Sequence, residues 1–133
     1  MFEWKDEYSV GIPSIDAQHK KLVRMLNDLF SAMREAKANK ILGEIFADLG
    51  KYTVEHFAYE EKLFAKYGYP EAPAHLAAHK VLIAQVVEQQ QKFASGAITI
   101  SKQLANFLKT WLTEHILKED KAYTAFLKSK GVK

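Results

Sequence analysis

The chain has 133 residues, 48% of them hydrophobic, and carries 19 Lys and Arg against 16 Asp and Glu. This length suits one globular domain, 1–133, with a single core. The absence of Cys excludes disulfides, thiolate metal sites and thiol catalysis, so any bound metal must be held by His, Asp or Glu. The formal charge of +3 is too small to indicate a nucleic-acid-binding protein.

The sequence also gives no indication of a membrane protein. No hydrophobic run reaches the roughly 18 residues that a membrane span needs. The first ten residues carry Glu3, Lys5, Asp6 and Glu7, where a signal peptide would be apolar. We therefore expect a cytoplasmic protein whose partners include neither a membrane nor a nucleic acid.

Four segments have hydrophobic residues at spacings of three and four, which is typical of amphipathic helices. They span about 16–36, 41–66, 72–95 and 101–129, separated by Gly, Pro or polar residues. In the first helix the hydrophobic residues are Leu22, Met25, Leu26, Leu29, Phe30 and Met33. In the last they are Leu104, Phe107, Leu108, Trp111, Leu112, Ile116, Tyr123 and Phe126.

These segments predict an all-α fold. Four helices of similar length with short connections pack most simply as an up-down-up-down four-helix bundle. Residues 1–15 form an extended N-terminal arm. Its aromatic residues, Phe2, Trp4 and Tyr8, are expected along the outside of the bundle.

Titratable side chains continue the hydrophobic faces of all four helices. They are His19, His56, Glu60, His75, His79, His115 and Asp120. Measured from the common end of antiparallel helices, all seven fall within one layer only about 9 Å thick. Asp120 follows His115 by five residues rather than four, so its convergence with the others requires a local widening or bend of the last helix.

A single histidine on such a face is more often a hydrogen-bonded core residue than a ligand. Five histidines and two carboxylates at one level favour a metal site instead, because a buried carboxylate without a compensating cation is strongly disfavoured. Seven ligands are too many for one tetrahedral zinc ion, and calcium or magnesium would require oxygen ligands. Two transition-metal ions fit better, and imidazole suits iron, copper, zinc and nickel alike.

Four short motifs together resemble the hemerythrin family, and within it the single-domain bacteriohemerythrins. They are IDAQHK around His19, HFAYEE from His56, the His75-x-x-x-His79 pair, and HILKEDKAY from His115 to Tyr123. The resemblance extends from Trp4 to Tyr123. Each motif alone is weak, but all four in this order and spacing are highly specific.

The resemblance implies a centre of two iron ions bridged by an oxo or hydroxo group and by the carboxylates of Glu60 and Asp120. It assigns one iron to His75, His79 and His115, and the other to His19 and His56. The second iron then keeps one open position, where the family binds O2 end-on and reversibly as hydroperoxide. The implied function is oxygen transport or storage rather than catalysis.

The walls of the O2 pocket are predicted to be Trp111, Leu112, Ile116 and Phe57. Leu112 resembles the pocket leucine of the family, whereas ordinary core packing is an equal alternative for Phe57 and Ile116. Tyr123 is expected either to hydrogen-bond a bridging carboxylate or to cap the core. Glu61 points about 100° away from Glu60 around the helix and is expected at the surface.

Two other functions use a similar centre. A di-iron oxidase or peroxidase-type enzyme shares the bundle, but its site is carboxylate-rich and uses Glu-x-x-His motifs, which this chain lacks. A sensor of O2, nitric oxide or redox state is the second alternative. For the carrier we expect a monomer whose partners are O2 and an O2-using enzyme that receives it.

Overall fold

The structure is a computed structural model of the chain that describes residues 3–35, 39–95, 102–115 and 120–133. Its helices are α1 (Pro13–Arg34), α2 (Asn39–Tyr67), α3 (Ala72–Ala94), α4 (Lys102–Glu114) and α5 (Thr124–Ser129), with short 3-10 turns at Asp6–Tyr8 and Asp120–Tyr123. These ranges contain no strand, so the all-α prediction is confirmed. Within them, no helix combines the length and the apolar character that crossing a membrane requires.

Prolines define the beginnings of α1 and α3. Pro13 is the first residue of α1. Its ring restricts φ to a helical value, and its lack of an N–H costs no hydrogen bond, because the N–H groups of the first turn have no acceptor within the helix. The helix therefore starts three residues before the predicted position 16. Pro73 lies in the first turn of α3 in the same way.

Successive long helices are antiparallel, because early residues of one contact late residues of the next. The contacts are Ser14–Tyr59 and Lys21–Tyr52 between α1 and α2, and Phe46–Gln90 and Phe64–His75 between α2 and α3. α4 packs against α1. This is the predicted helical bundle.

The core consists of two apolar clusters. The larger includes Leu22, Leu26, Phe46, Leu49, Phe57, Leu82, Val86, Leu108 and Leu112. The smaller includes Val10, Ile12, Ile15, Phe64, Tyr69, Tyr123 and Leu127. In each helix the predicted ligands lie in sequence between residues of the two clusters, so the polar layer is enclosed by apolar packing above and below.

The N-terminal arm, which is expected along the outside of the bundle, contributes buried side chains to both apolar clusters. Tyr8 is buried in the larger cluster, and Val10 and Ile12 are buried in the smaller one, because each covers apolar side chains of the helices. Trp4 is half-buried against the larger cluster, and Phe2 lies outside the described residues. The carboxylate of Asp16 holds the arm by accepting hydrogen bonds from the Ser9 hydroxyl and the Val10 N–H.

The last segment differs from the predicted continuous helix over 101–129. α4 ends at Glu114, His115 lies in a π-helical turn, and a 3-10 turn at Asp120–Tyr123 precedes α5. Residues 116–119 lie outside the described residues. A π turn pairs residues five apart instead of four, which is the widening that the spacing of His115 and Asp120 requires.

Candidate metal centre

All seven predicted ligand side chains lie in one buried layer, where even the most exposed, His75, is only 7% accessible. Their ligand atoms form two overlapping groups, each within 4.8 Å: His19, His56, Glu60, His115 and Asp120, and Glu60, His75, His79 and Asp120. Both carboxylates belong to both groups. This arrangement is the one expected of carboxylates that bridge two ions.

Asp120 contacts histidines from three parts of the bundle. Its Oδ2 lies 2.6 Å from His19 Nε2 and 2.8 Å from His115 Nε2, and its Oδ1 lies 3.2 Å from His75 Nε2. Burial by itself raises the pKa of Asp120, but the charge of His115 and hydrogen bonds to His115, His19 and His56 outweigh it and hold that pKa well below its usual value. Asp120 is therefore held in its ionised form.

Glu60 contacts histidines of α2 and α3. Its Oε1 lies 3.1 Å from His79 Nε2, and its Oε2 lies 3.6 Å from His56 Nε2. The Tyr123 hydroxyl donates a hydrogen bond to Oε2. Burial, together with the charges of Asp120 and Glu60, raises the pKa of Tyr123 well above its usual value, so the phenol stays protonated and donates.

His115 belongs to the first group of ligand atoms, but its ring also lies near a histidine of the second group. Its ring centroid is 5.7 Å from that of His56 and also 5.7 Å from that of His79. The resemblance groups it with His75 and His79, whereas the closest ligand atoms group it with His19 and His56. Its position is thus adjacent to both candidate metal positions.

Gln18 is a site residue that the sequence analysis missed. Its amide oxygen lies 2.6 Å from His56 Nδ1. Because that oxygen can only accept, the proton is on Nδ1 and the lone pair of Nε2 points into the layer, as metal binding requires. Gln18 is on α1 and His56 on α2, so only the packing of these helices reveals the contact.

Glu61 is partly exposed, in agreement with its predicted surface position, but it also faces the site. Its carboxylate lies 3.8 Å from His79 Nδ1 and its side chain is 36% accessible. The outer nitrogen of His79 therefore has a negative charge nearby but no hydrogen bond to it. Angular position around one helix did not predict this contact, because His79 comes from the neighbouring helix.

Aromatic side chains cover one side of the layer. Phe57 stacks face to face on His79, with ring centroids 3.9 Å apart, and lies 4.7 Å from the ring of His115. Trp111 lies nearly parallel to His115 at 6.4 Å. Leu112, one turn before His115, is also buried. Ile116, predicted for the same wall, lies outside the described residues.

The donor set fits metal ions better than a hydrogen-bonded core. Within the described part of the chain, Glu60 Oε1 and His79 Nε2 are buried without a hydrogen-bond partner, although they lie 3.1 Å apart. His19 and His56 direct their Nε2 atoms at each other across 3.1 Å. Such convergence is costly in a dry core, and cations bound by the nitrogen and oxygen lone pairs remove the cost.

Residues 10–127 match the family described as the hemerythrin HHE cation binding domain, and the chain belongs to the hemerythrin family. It is similar to the bacteriohemerythrin of Stenotrophomonas maltophilia, with 37% identity over 126 residues that cover 95% of this chain and 81% of the relative. It is 36% identical over 120 residues to the bacteriohemerythrin of Pseudomonas aeruginosa, covering 90% and 77%. A crystal structure of wild-type hemerythrin superposes with a TM-score of 0.86 at 31% identity, covering 96% and 98%.

Proposed function

We propose that this protein binds O2 reversibly at a di-iron centre and acts as an oxygen carrier or store. The observation that carries the proposal is the buried layer of five imidazoles and two carboxylates, in which both carboxylates belong to two groups of possible ligands. Membership of the hemerythrin family and similarity to bacteriohemerythrins support it. The irons, when bound, supply O2 binding and the two electrons that the proposed end-on hydroperoxide mode requires.

The proposed ligands are His75, His79 and His115 for one iron and His19 and His56 for the other, with Glu60 and Asp120 as bridges. Two histidines leave the second iron with an open position. We place the O2 pocket there, beside Phe57, Trp111, Leu112 and Ile116.

The chain's own residues act by orienting ligands and excluding water. Gln18 holds the ring of His56, and Tyr123 holds the Glu60 carboxylate. Phe57, Trp111 and Leu112 keep the layer apolar on one side. A buried, histidine-rich site covered on one side by apolar side chains favours release of O2 over its further reduction, which supports a carrier rather than an enzyme.

In the cell, we propose a cytoplasmic monomer that supplies O2 to an O2-using enzyme, with neither nucleic acid nor membrane as a partner. The compact bundle needs no second subunit to complete the candidate site, because all seven ligands come from one chain.

The test is anaerobic reduction of the iron-loaded protein, followed by addition and removal of O2 while visible absorption is recorded. A charge-transfer band that appears with O2 and disappears on its removal is the expected result. One-way oxidation accompanied by turnover of a reducing substrate would indicate an oxidase or peroxidase-type enzyme instead.

A variant of His56 tests whether this residue is a ligand of the iron proposed to bind O2. His56→Ala is expected to lose iron from the O2-binding position first, measured as iron content and as loss of the band. Glu55→Ala, at the exposed neighbouring position, is the matched control and should retain both. Unchanged iron content and O2 binding in His56→Ala would remove His56 from the site.

A further inference from the structure

A second polar pocket lies between the N-terminal arm and the end of the chain. It has a volume of about 330 Å³ and is lined by Ser9, Val10, Gly11, Lys121, Thr124 and Lys128. None of these residues is a candidate metal ligand. The pocket is also open to solvent, whereas the metal layer is buried.

Two lysines place positive charge at this pocket. Lys121 and Lys128 are seven residues apart with Thr124 between them, a spacing that puts all three on one side of a helical segment. Neither lysine forms an ion pair with a residue in the described ranges. Because like charges repel, two ammonium groups that line one pocket favour an anion between them.

The arm is shaped to accommodate one of these lysines. Gly11 has a φ of +71°, and a Cβ there would lie 2.2 Å from Lys128 Nζ. The missing side chain therefore leaves the space that the ammonium group occupies. The turn is also fixed, because the Ser9 hydroxyl accepts a hydrogen bond from the Gly11 N–H at 3.0 Å and donates one to Asp16.

The Thr124 hydroxyl is the third polar group of the pocket. Its Oγ1 is buried and has no hydrogen-bond partner in the described part of the chain. The hydroxyl proton is therefore unused, and a rotation about the Thr124 Cα–Cβ bond toward the pocket would let it donate to an anion oxygen beside the two ammonium groups. The nearby Asp16 carboxylate is already engaged by Ser9 and Val10, which lowers its repulsion of an incoming anion.

We propose that this pocket binds a small tetrahedral oxyanion of the phosphate class, either free phosphate or a phosphate monoester. Lys121 and Lys128 neutralise its charge, and Thr124 donates a hydrogen bond. The proposal does not depend on the function of the metal centre.

Isothermal titration calorimetry of the iron-loaded full chain with inorganic phosphate, at constant ionic strength in chloride, tests the proposal. We expect saturable binding of one phosphate per chain. Lys121→Ala, Lys128→Ala and Thr124→Val are each expected to weaken it about fivefold to tenfold, as loss of one charge-assisted or hydroxyl hydrogen bond at an open site would. Glycerol phosphate, titrated in parallel, distinguishes a monoester site from one that admits only free phosphate.

Lys130→Ala is the matched control, because it removes the same charge from the same end of the chain while its ammonium lies over the Phe126 ring, 5.5 Å from the centroid. Its phosphate affinity should equal that of the unmodified chain. An absence of saturable binding, an equal loss in Lys130→Ala, or binding that alters the visible spectrum of the iron centre and survives all three pocket substitutions would overturn the proposal.

Discussion

At the scale of single residues, the histidines of the layer differ in what orients them. His56 Nδ1 is hydrogen-bonded to Gln18, whereas His79 Nδ1 has only the Glu61 carboxylate at 3.8 Å. His79 is instead held by stacking on Phe57. Outer hydrogen bonds and ring packing are thus two alternative ways of fixing a ligand before a metal arrives.

Gln18→Ala should therefore loosen His56 and weaken the metal position that it serves. We expect iron to be lost to a chelator about tenfold faster, in the range found when the outer partner of a metal-ligating histidine is removed. The measurement is the rate of iron transfer to a coloured chelator. Gln85→Ala, at an exposed position on α3, is the control, and equal rates in the two variants would contradict the role of Gln18.

Tyr123→Phe should destabilise the fold, because it leaves Glu60 Oε2 buried without its donor. We expect the free energy of unfolding to fall by about 1–3 kcal/mol, measured by denaturant titration of the metal-free protein. Tyr59→Phe removes a hydroxyl bond to Ser14 at a partly exposed position and should cost less. An equal fall in the free energy of unfolding of the two variants would show that leaving the buried Glu60 carboxylate without its donor carries no additional free-energy cost.

At the scale of elements, α2 and α3 approach each other closely where Gly50 faces Gln90. A Cβ at Gly50 would lie 2.2 Å from Gln90 Nε2, the atom that donates a 3.0 Å hydrogen bond to the Phe46 carbonyl. The glycine therefore weakens helix α2 locally while making room for a bond between helices. This close approach gives a physical reason for a glycine in the middle of an otherwise regular helix.

Gly50→Ala should stabilise the protein only when Gln90 is also shortened. In a Gln90→Ala background we expect a gain of about 1 kcal/mol from helix propensity, whereas in the unmodified chain the displaced Gln90 bond offsets most of it. A double-mutant cycle by thermal or denaturant unfolding measures the difference. The same gain in both backgrounds would mean that Gln90 does not restrict this position.

At the scale of the whole molecule, two apolar clusters enclose a polar layer whose side chains come from α1, α2, α3 and the segment that follows α4. The layer contributes no hydrophobic stabilisation, and its polar atoms are only partly satisfied by one another. A bundle of this kind is expected to depend on its bound ions for stability, because the ions bind the folded chain and not the unfolded one.

Removal of iron should lower the thermal unfolding midpoint substantially. With free metal at a thousand times its dissociation constant, binding adds about 4 kcal/mol to the folded state. Calorimetry of iron-loaded and chelator-treated protein measures the gap between them. Glu60→Gln should narrow this gap, while Glu55→Gln, at the exposed position, should preserve it, and an unaltered gap in Glu60→Gln would exclude Glu60 from metal binding.

The sequence by itself determined the first three helices and the start of the fourth, their amphipathic faces and the single layer of His19, His56, Glu60, His75, His79, His115 and Asp120. These features depend on spacing along one chain, and helical periodicity is local. The motifs around the same residues were also sufficient to indicate the family.

Only the tertiary structure decided which groups meet across helices. The contact of Gln18 with His56, the approach of Glu61 to His79 and the burial of Tyr8 depend on how separate elements pack. The π turn at His115 departs from regular helical spacing. The five-residue separation of His115 and Asp120 indicated that the helix must widen, but it did not show where the widening occurs. Helical periodicity determines on which face of its helix a side chain lies. Which side chain of another helix it contacts depends on how elements distant in sequence pack together.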